Sequence, residues 1–173
     1  MINNNFSIFF LFLVLSHSAS AQESIFSAAR TNNVEQLNKI LVQTSQINIT
    51  DERGSTALII ACYNDNYEAA LWLLQHNANP DVRDKMGNTA LMGASFKKLD
   101  RIAQLLVDYN TDIDQRNFNG ATALIFAATF GADNIVQILR RKGADKTLRD
   151  KFNKTALDYA LIQENETTVR LLE

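Results

Sequence analysis

Gly54-Ser55-Thr56-Ala57-Leu58 recurs as Gly87-Asn88-Thr89-Ala90-Leu91, as Gly120-Ala121-Thr122-Ala123-Leu124, and again as Asn153-Lys154-Thr155-Ala156-Leu157. Each step is 33 residues, without insertion. Three residues after each Leu comes a small pair: Ala61-Cys62, Ala94-Ser95 and Ala127-Ala128, then Ala160-Leu161. A second apolar stretch follows, as in Ala70-Leu71-Leu73-Leu74, Ile102-Leu105-Leu106-Val107 and Ile135-Val136-Ile138-Leu139. The units close on Asn77-Ala78-Asn79, Asn110-Thr111-Asp112 and Gly143-Ala144-Asp145. Self-similarity at one period is the mark of a stacked array, because a unit this short cannot bury its own apolar side.

The chemistry of one unit reads in order. Asp51, Asp84, Asn117 and Asp150 open a turn, since a short polar side chain bonds the backbone two residues on. Gly54, Gly87, Gly120 and Asn153 stand where a positive φ is required. Thr56, Thr89, Thr122 and Thr155 fall at a helix N-cap. A first helix of about two turns follows, with small residues where a neighbour approaches closely. Asp65-Asn66, Lys98, Gly131 and Glu164 mark the turn into a second helix with apolar residues at i, i+3 and i+4. That helix stops at Asn77, Asn110 or Gly143, the residue types of a left-handed C-cap.

The unit resembles the ankyrin repeat in its period, its Asp-x-x-Gly-x-Thr-x-Leu opening, its small pair and its Gly-Ala-Asp close. The resemblance covers about residues 24–173 and implies an all-α repeat solenoid of about five units, helix pairs joined by β-turn or hairpin fingers. The units run at about 22–50, 51–83, 84–116, 117–149 and 150–173, the outer two serving as caps. Ile25 falls 33 residues before Leu58, and Ala28-Ala29 fills the first unit's small pair, ahead of Val34, Leu37, Ile40 and Leu41. The last unit's second helix is polar (Gln163, Glu164, Glu166, Thr167, Arg170), as a solvent-facing cap requires. The family's Thr-Pro-Leu-His is altered: Ala57, Ala90, Ala123 and Ala156 replace the Pro, and Ile59, Met92, Ile125 and Asp158 replace the His. Losing that His removes a Thr–His hydrogen-bond network, so an apolar contact is expected to take over part of its role.

Residues 1–21 read differently. Phe6 to Leu15 is an apolar run broken only by Ser7, followed by Ser16-His17-Ser18-Ala19-Ser20-Ala21. The run is too short to span a bilayer, which takes roughly 20 helical residues. It reads as a secretory leader cleaved after Ala21, leaving 22–173 as the repeat domain. Met1-Ile2-Asn3-Asn4-Asn5 departs from the usual pattern in carrying no Lys or Arg; the alternatives are a disordered apolar leader or a poor membrane anchor. No Cys follows the run, which excludes a lipid-modified bacterial N-terminus. The expected location is the periplasm or outside the cell, with no membrane attachment after cleavage.

The whole chain has 173 residues and a formal net charge of −2, so no basic excess recommends nucleic acid. Cys62 is its one cysteine, and no internal disulfide can form. The residues beyond the leader hold one histidine, His76, without an acidic neighbour at ligand spacing; it reads as a surface residue at a helix C-terminus, where the dipole favours its charge. Cys62 reads as a buried, inert small-pair residue. Asp112 and Asp114 could be imagined as a carboxylate pair, but Asp112 is in phase with Asn79 and Asp145, a turn position. There is no phosphate-cradling Gly-rich loop and no Cys-x-x-Cys. Three Asn-x-Thr sequons, at Asn48, Asn153 and Asn165, matter only in a eukaryotic secretory route. Neither catalysis nor a metal or cofactor is expected.

In ankyrin proteins the partner usually lies in the concave groove, against finger tips and the exposed side of each first helix. Carried over by phase, those positions are Glu52, Arg53, Ser55, Tyr63 and Asn64; Lys85, Met86, Asn88, Phe96 and Lys97; Phe118, Asn119, Ala121, Thr129 and Phe130; and Lys151, Phe152, Lys154, Ile162 and Gln163. Tyr63, Phe96, Phe118, Phe130 and Phe152, with Met86, would line one face. Arg53, Lys85, Lys97, Lys151 and Lys154 surround them against Glu52 alone. Exposed large apolar side chains mark interaction sites, and local positive charge favours an acidic patch on the partner. The alternative is that some of these aromatics pack half-buried between fingers. Phe96 and Phe130 are expected as central anchors, Tyr63 and Phe118 as flanks, and Lys85 and Lys97 as orienting charges. The expected function is that of an exported adaptor, monomer or weak homodimer, that protects, inhibits or scaffolds a periplasmic protein. Alternatives are a secreted effector acting on a host protein, an accessory subunit of an enzyme, and a purely structural array.

Overall fold

A computed structural model describes residues 25–41 and 46–173. The leader lies outside the described residues. Residues 25–30 form α1, and α2 spans Val34–Leu41. Four helix pairs follow: α3 Ala57–Tyr63 with α4 Tyr67–Gln75; α5 Ala90–Lys97 with α6 Asp100–Asp108; α7 Ala123–Phe130 with α8 Asp133–Arg141; and α9 Ala156–Ile162 with α10 Glu166–Leu172. First helices stack on first helices and second on second, giving two layers along one axis.

The local signals act as the residue types require. Thr56, Thr89, Thr122 and Thr155 are extended N-caps whose side chains accept the N–H of Ile59, Met92, Ile125 and Asp158. Asp65, Lys98, Gly131 and Glu164 take positive φ at the turn between paired helices, and Asn77, Asn110 and Gly143 take it after the second helix. The fate of the missing His differs between units. Met92 and Ile125 are buried and Ile59 partly so, as expected of an apolar replacement. In the fifth unit Asp158 instead closes a capping box on Thr155, so a hydrogen bond survives there.

Helices of seven to nine residues are too short to persist alone. Their stability comes from burial: Leu58, Leu91 and Leu124 occupy one phase of the first helices, and Leu73, Leu106 and Leu139 one phase of the second, all essentially without exposed surface. Each such side chain contributes roughly 1.5–3 kcal/mol. Ala61-Cys62, Ala94-Ser95 and Ala127-Ala128 are fully buried where the helices meet. Leu161 breaks the series, standing 55% exposed beside Ile162. The last unit is therefore polar on α10 and apolar at the end of α9.

Polar wiring also repeats at the period. Asn48, Asp81 and Asp114 each accept the backbone N–H of Asn79, Asp112 and Asp145 from the next unit, at 2.8, 2.9 and 3.0 Å. Asp112 and Asp114 thus hold turns together. At the opposite end, Asp133 accepts from Asn165 at 3.0 Å and from the Thr168 hydroxyl, tying the fifth unit to the fourth.

The fingers are tight turns, and the one bridge pairing among the described residues joins Thr50 to Thr56. Asp51 Oδ1 accepts the N–H of Arg53 and Ser55, and Asp84, Asn117 and Asp150 repeat the pattern. Neighbouring fingers are joined by backbone bonds: Lys85 N–H to Arg53 O at 3.0 Å, Phe118 N–H to Met86 O at 3.2 Å, and Lys151 N–H to Asn119 O at 2.8 Å. The finger row is consequently set at a fixed spacing.

Candidate binding surface

On a helix, residues at i, i+3 and i+4 share a face. In each first helix that spacing puts a triplet on one face: Ile60, Tyr63 and Asn64; Gly93, Phe96 and Lys97; Phe126, Thr129 and Phe130; Tyr159, Ile162 and Gln163, of which Ile60 is buried. Stacking the units lays these triplets side by side. Tyr63 and Phe96 lie parallel with centroids 6.4 Å apart, Phe96 meets Phe130 edge to face at 4.7 Å, and Phe130 stacks on Phe126 at 6.4 Å. Edge-to-face pairs are worth about 0.5–1.5 kcal/mol beyond burial, which holds the rings in place. Tyr63, Phe96 and Phe130 still expose 45, 39 and 39% of their surface. The rings cover one another partly and leave a continuous apolar face open.

The six apolar side chains expected on one face divide into two rows. Met86, Phe118 and Phe152 sit on finger tips and are more exposed still, at 64, 68 and 65%. A first helix, roughly 10 Å long at 1.5 Å per residue, separates them from the ring cluster. Cations attend both rows. Lys97 Nζ lies 5.0 Å from the Tyr63 ring centre, Arg83 is 5.7 Å from that of Phe118, and Lys151 is 5.1 Å from that of Phe152. Arg53 and Lys85 are exposed on their fingers. Ala121 is not on the open face: it is buried, its N–H bonded to Asn117. Asn88 is half-buried and serves the finger turn, donating to Asp84 and accepting from Asn117.

Three features of this surface were not singled out from sequence. Phe126 completes the ring cluster, though its place in the middle of an apolar helix reads as core. Gly93 leaves a gap in the concave row. Arg83, Arg116 and Arg149 recur at 33 residues immediately before Asp84, Asn117 and Asp150, and the period alone could have found them. Arg116 donates to the carbonyls of Gly120 and Arg149, and Arg149 donates to Asn153 O at 2.8 Å while lying 3.5 Å from Asp158. These arginines brace the finger row and add to its positive charge.

Several titratable groups are held away from their ordinary values. Hydrogen bonds from Thr155, backbone and side chain, hold the Asp158 carboxyl below its usual range, with Arg149 and Lys154 adding to the effect. Burial raises Asp150, but bonds from the Tyr159 hydroxyl and the N–H groups of Lys154 and Phe152 outweigh it and hold it low. Tyr159 is pushed up to about 12 by burial and by its 2.5 Å bond to Asp150. Burial drives the Cys62 thiol upward, away from a nucleophilic thiolate. His76 is half-buried rather than freely exposed: its ring stacks on Trp72 at 3.8 Å, and Nδ1 lies 2.7 Å from the Trp72 carbonyl. Among the described residues no group of His, Cys, Asp and Glu is placed to hold a metal ion, and no helix is long and apolar enough to cross a membrane.

Stacked helix pairs at a 33-residue period, with fingers joined along one edge, define a repeat scaffold. A family model described as ankyrin repeats (three copies) matches residues 25–117 and 94–173. The chain belongs to the ankyrin-repeat family. Ankyrin repeats are generally protein–protein interaction modules, and proteins built of them are typically non-enzymatic scaffolds. A search of curated proteins finds no match.

Proposed function

We propose that this chain is an exported adaptor that binds another protein through its concave aromatic and basic groove and so protects, inhibits or scaffolds it. The observation that carries the reading is the cluster of Tyr63, Phe96, Phe126 and Phe130, whose rings stack side by side while Tyr63, Phe96 and Phe130 stay open to solvent. An array with a merely structural role gains nothing from apolar surface left in water. Lys97 stands beside the cluster and Arg53 and Lys85 are exposed on the finger row, and none of them is in an ion pair among the described residues. Their charge suits a partner with an acidic patch and speeds encounter. A standard interface of about 800 Å² per partner is within reach of a groove four fingers wide. The apolar run and Ala19-x-Ala21 within residues 1–21, read as a cleaved leader, support a place in the periplasm or outside the cell.

The reading is tested by affinity purification from the native envelope, with tagged mature protein beside a Phe96→Ala/Phe130→Ala variant. A protein held by the wild type and lost by the folded variant supports the groove. Identical capture by both places the interface elsewhere and overturns the assignment. Fractionation with N-terminal sequencing checks the location, the expected mature terminus being Gln22. Sedimentation across a concentration series tests the expectation of a monomer or weak homodimer.

A further inference from the structure

Gly93 is out of keeping with its row, where the other units place Ile60, Phe126 and Tyr159. A helix interior disfavours glycine more than any residue except proline. Two reasons commonly excuse it, and neither applies. Its φ is not positive, unlike that of the finger glycines. No backbone crowds it either: a Cβ built there would meet only the Tyr63 ring, at 3.5 Å, which is ordinary contact. At Gly54 and Gly87 the same construction falls 2.8 and 2.7 Å from a neighbouring finger's backbone nitrogen. The fold explains those glycines and does not explain Gly93.

What the missing side chain leaves is a notch in the groove floor. The Tyr63 ring lies 3.5 Å from the Cβ position and nothing else comes within 4 Å of it; Phe96 stands one turn further along α5, and Phe126 holds the same phase on α7. Next to this apolar recess stands Lys97, with Arg53 and Lys85 on the fingers opposite. We infer that the Gly93 notch is the anchor pocket of the groove, taking one bulky apolar side chain from an extended acidic segment of the partner. The flanking carboxylates of that segment face Lys97, Arg53 and Lys85. A basic segment is repelled by the same cations, and an acidic segment without the anchor leaves the recess unfilled. This deepens the adaptor reading and rests on it.

The test uses fluorescence anisotropy with labelled synthetic peptides rich in Glu and Ser. One carries a single central Leu, a second has Gly in its place, and a third keeps the Leu but replaces Glu by Lys. Wild type is compared with Gly93→Ala, Gly93→Leu and Phe96→Ala/Phe130→Ala. The expected result is binding of the first peptide alone, weakened by added salt. Gly93→Leu reduces it at least about tenfold, the lower bound for burying a Leu-sized side chain. Gly93→Ala raises the melting midpoint by about 3 °C, because alanine is the better helix former, which shows that a filled notch is compatible with folding. Equal binding of the Leu and Gly peptides, or unaltered binding by Gly93→Leu, overturns the pocket; if Phe96→Ala/Phe130→Ala still abolishes binding, the groove reading survives without it. Failure of the wild type to bind any peptide also overturns the inference, and the groove reading then falls only if the double variant captures the same envelope proteins as wild type.

Discussion

Replacing Gly87 by Ala perturbs one finger twice over, and Gly143→Ala separates the two effects. Both residues have a φ that L side chains adopt at a cost, +82° and +91°. That cost is about 1–2 kcal/mol, partly offset by the smaller freedom of alanine in the unfolded chain. At Gly143, where nothing lies within 4 Å of the new methyl, it is the whole effect, and about 1 kcal/mol is expected. At Gly87 the methyl would sit 2.7 Å from Phe118 N and 2.9 Å from its ring. The Phe118 N–H also donates to Met86 O, so the finger cannot give way without losing a bond. Overpacking against backbone and the lost hydrogen bond bring the expected total to about 3 kcal/mol. For a chain of this size the melting midpoint falls by about 3 °C for Gly143→Ala and about 9 °C for Gly87→Ala. Thermal and urea unfolding followed by far-ultraviolet circular dichroism reads both values. Equal shifts would show that the finger row is not packed as tightly as its backbone bonds imply, and the argument from Phe118 would fail.

Three further tests address the rest of the array. Thr168 is fully buried and donates to Asp133, so Thr168→Val should cost about 1–2 kcal/mol and loosen the last unit first. Hydrogen exchange should then accelerate in α9 and α10 before α3 to α6, and a uniform change would refute independent opening of the cap. Tyr159→Phe removes the bond to Asp150. Asp150 is held low in the fold, so its contribution is present above the unfolded carboxylate range and lost as pH falls through the folded value. Tyr159 is raised to about 12, so its contribution is complete below its unfolded value and lost as pH rises through 12. The stability gap between wild type and variant should be widest near neutrality and narrow at both extremes, as urea midpoints across pH will show; a constant gap would mean that the bond is not formed. Cys62 should resist a thiol reagent in native protein and react at the rate of unfolding, whereas fast native labelling would contradict its burial.

Much of the fold was legible along the chain because its determinants are local. A positive φ at Asn77 or Gly143, an N-cap at Thr122 and an apolar phase along α6 each depend on residues within a few positions. Repetition of those signals at 33 residues then requires stacking, since no unit can bury its own side. Exposure of Tyr63, Phe96 and Phe118 followed from the same phase. Sequence misplaced Ala121, which is buried where Ser55, Asn88 and Lys154 at the same phase are only half-buried, and it reduced His76 to a surface residue, because stacking on Trp72 depends on the turn of α4.

Sequence by itself determined the period, the turns, the caps and the positions that face the groove, since these follow from backbone preference and helical geometry. Only the tertiary structure decided which of those side chains touch. The contact of Phe96 with Phe130, the entry of Phe126 into the cluster, the arginine bracing between fingers and the approach of the Tyr63 ring to Gly93 all depend on how far each unit is rotated against the next. That rotation is a collective balance of close packing across the whole array, in which Ala61, Ala94 and Ala127 are fully buried, and no local stretch encodes it.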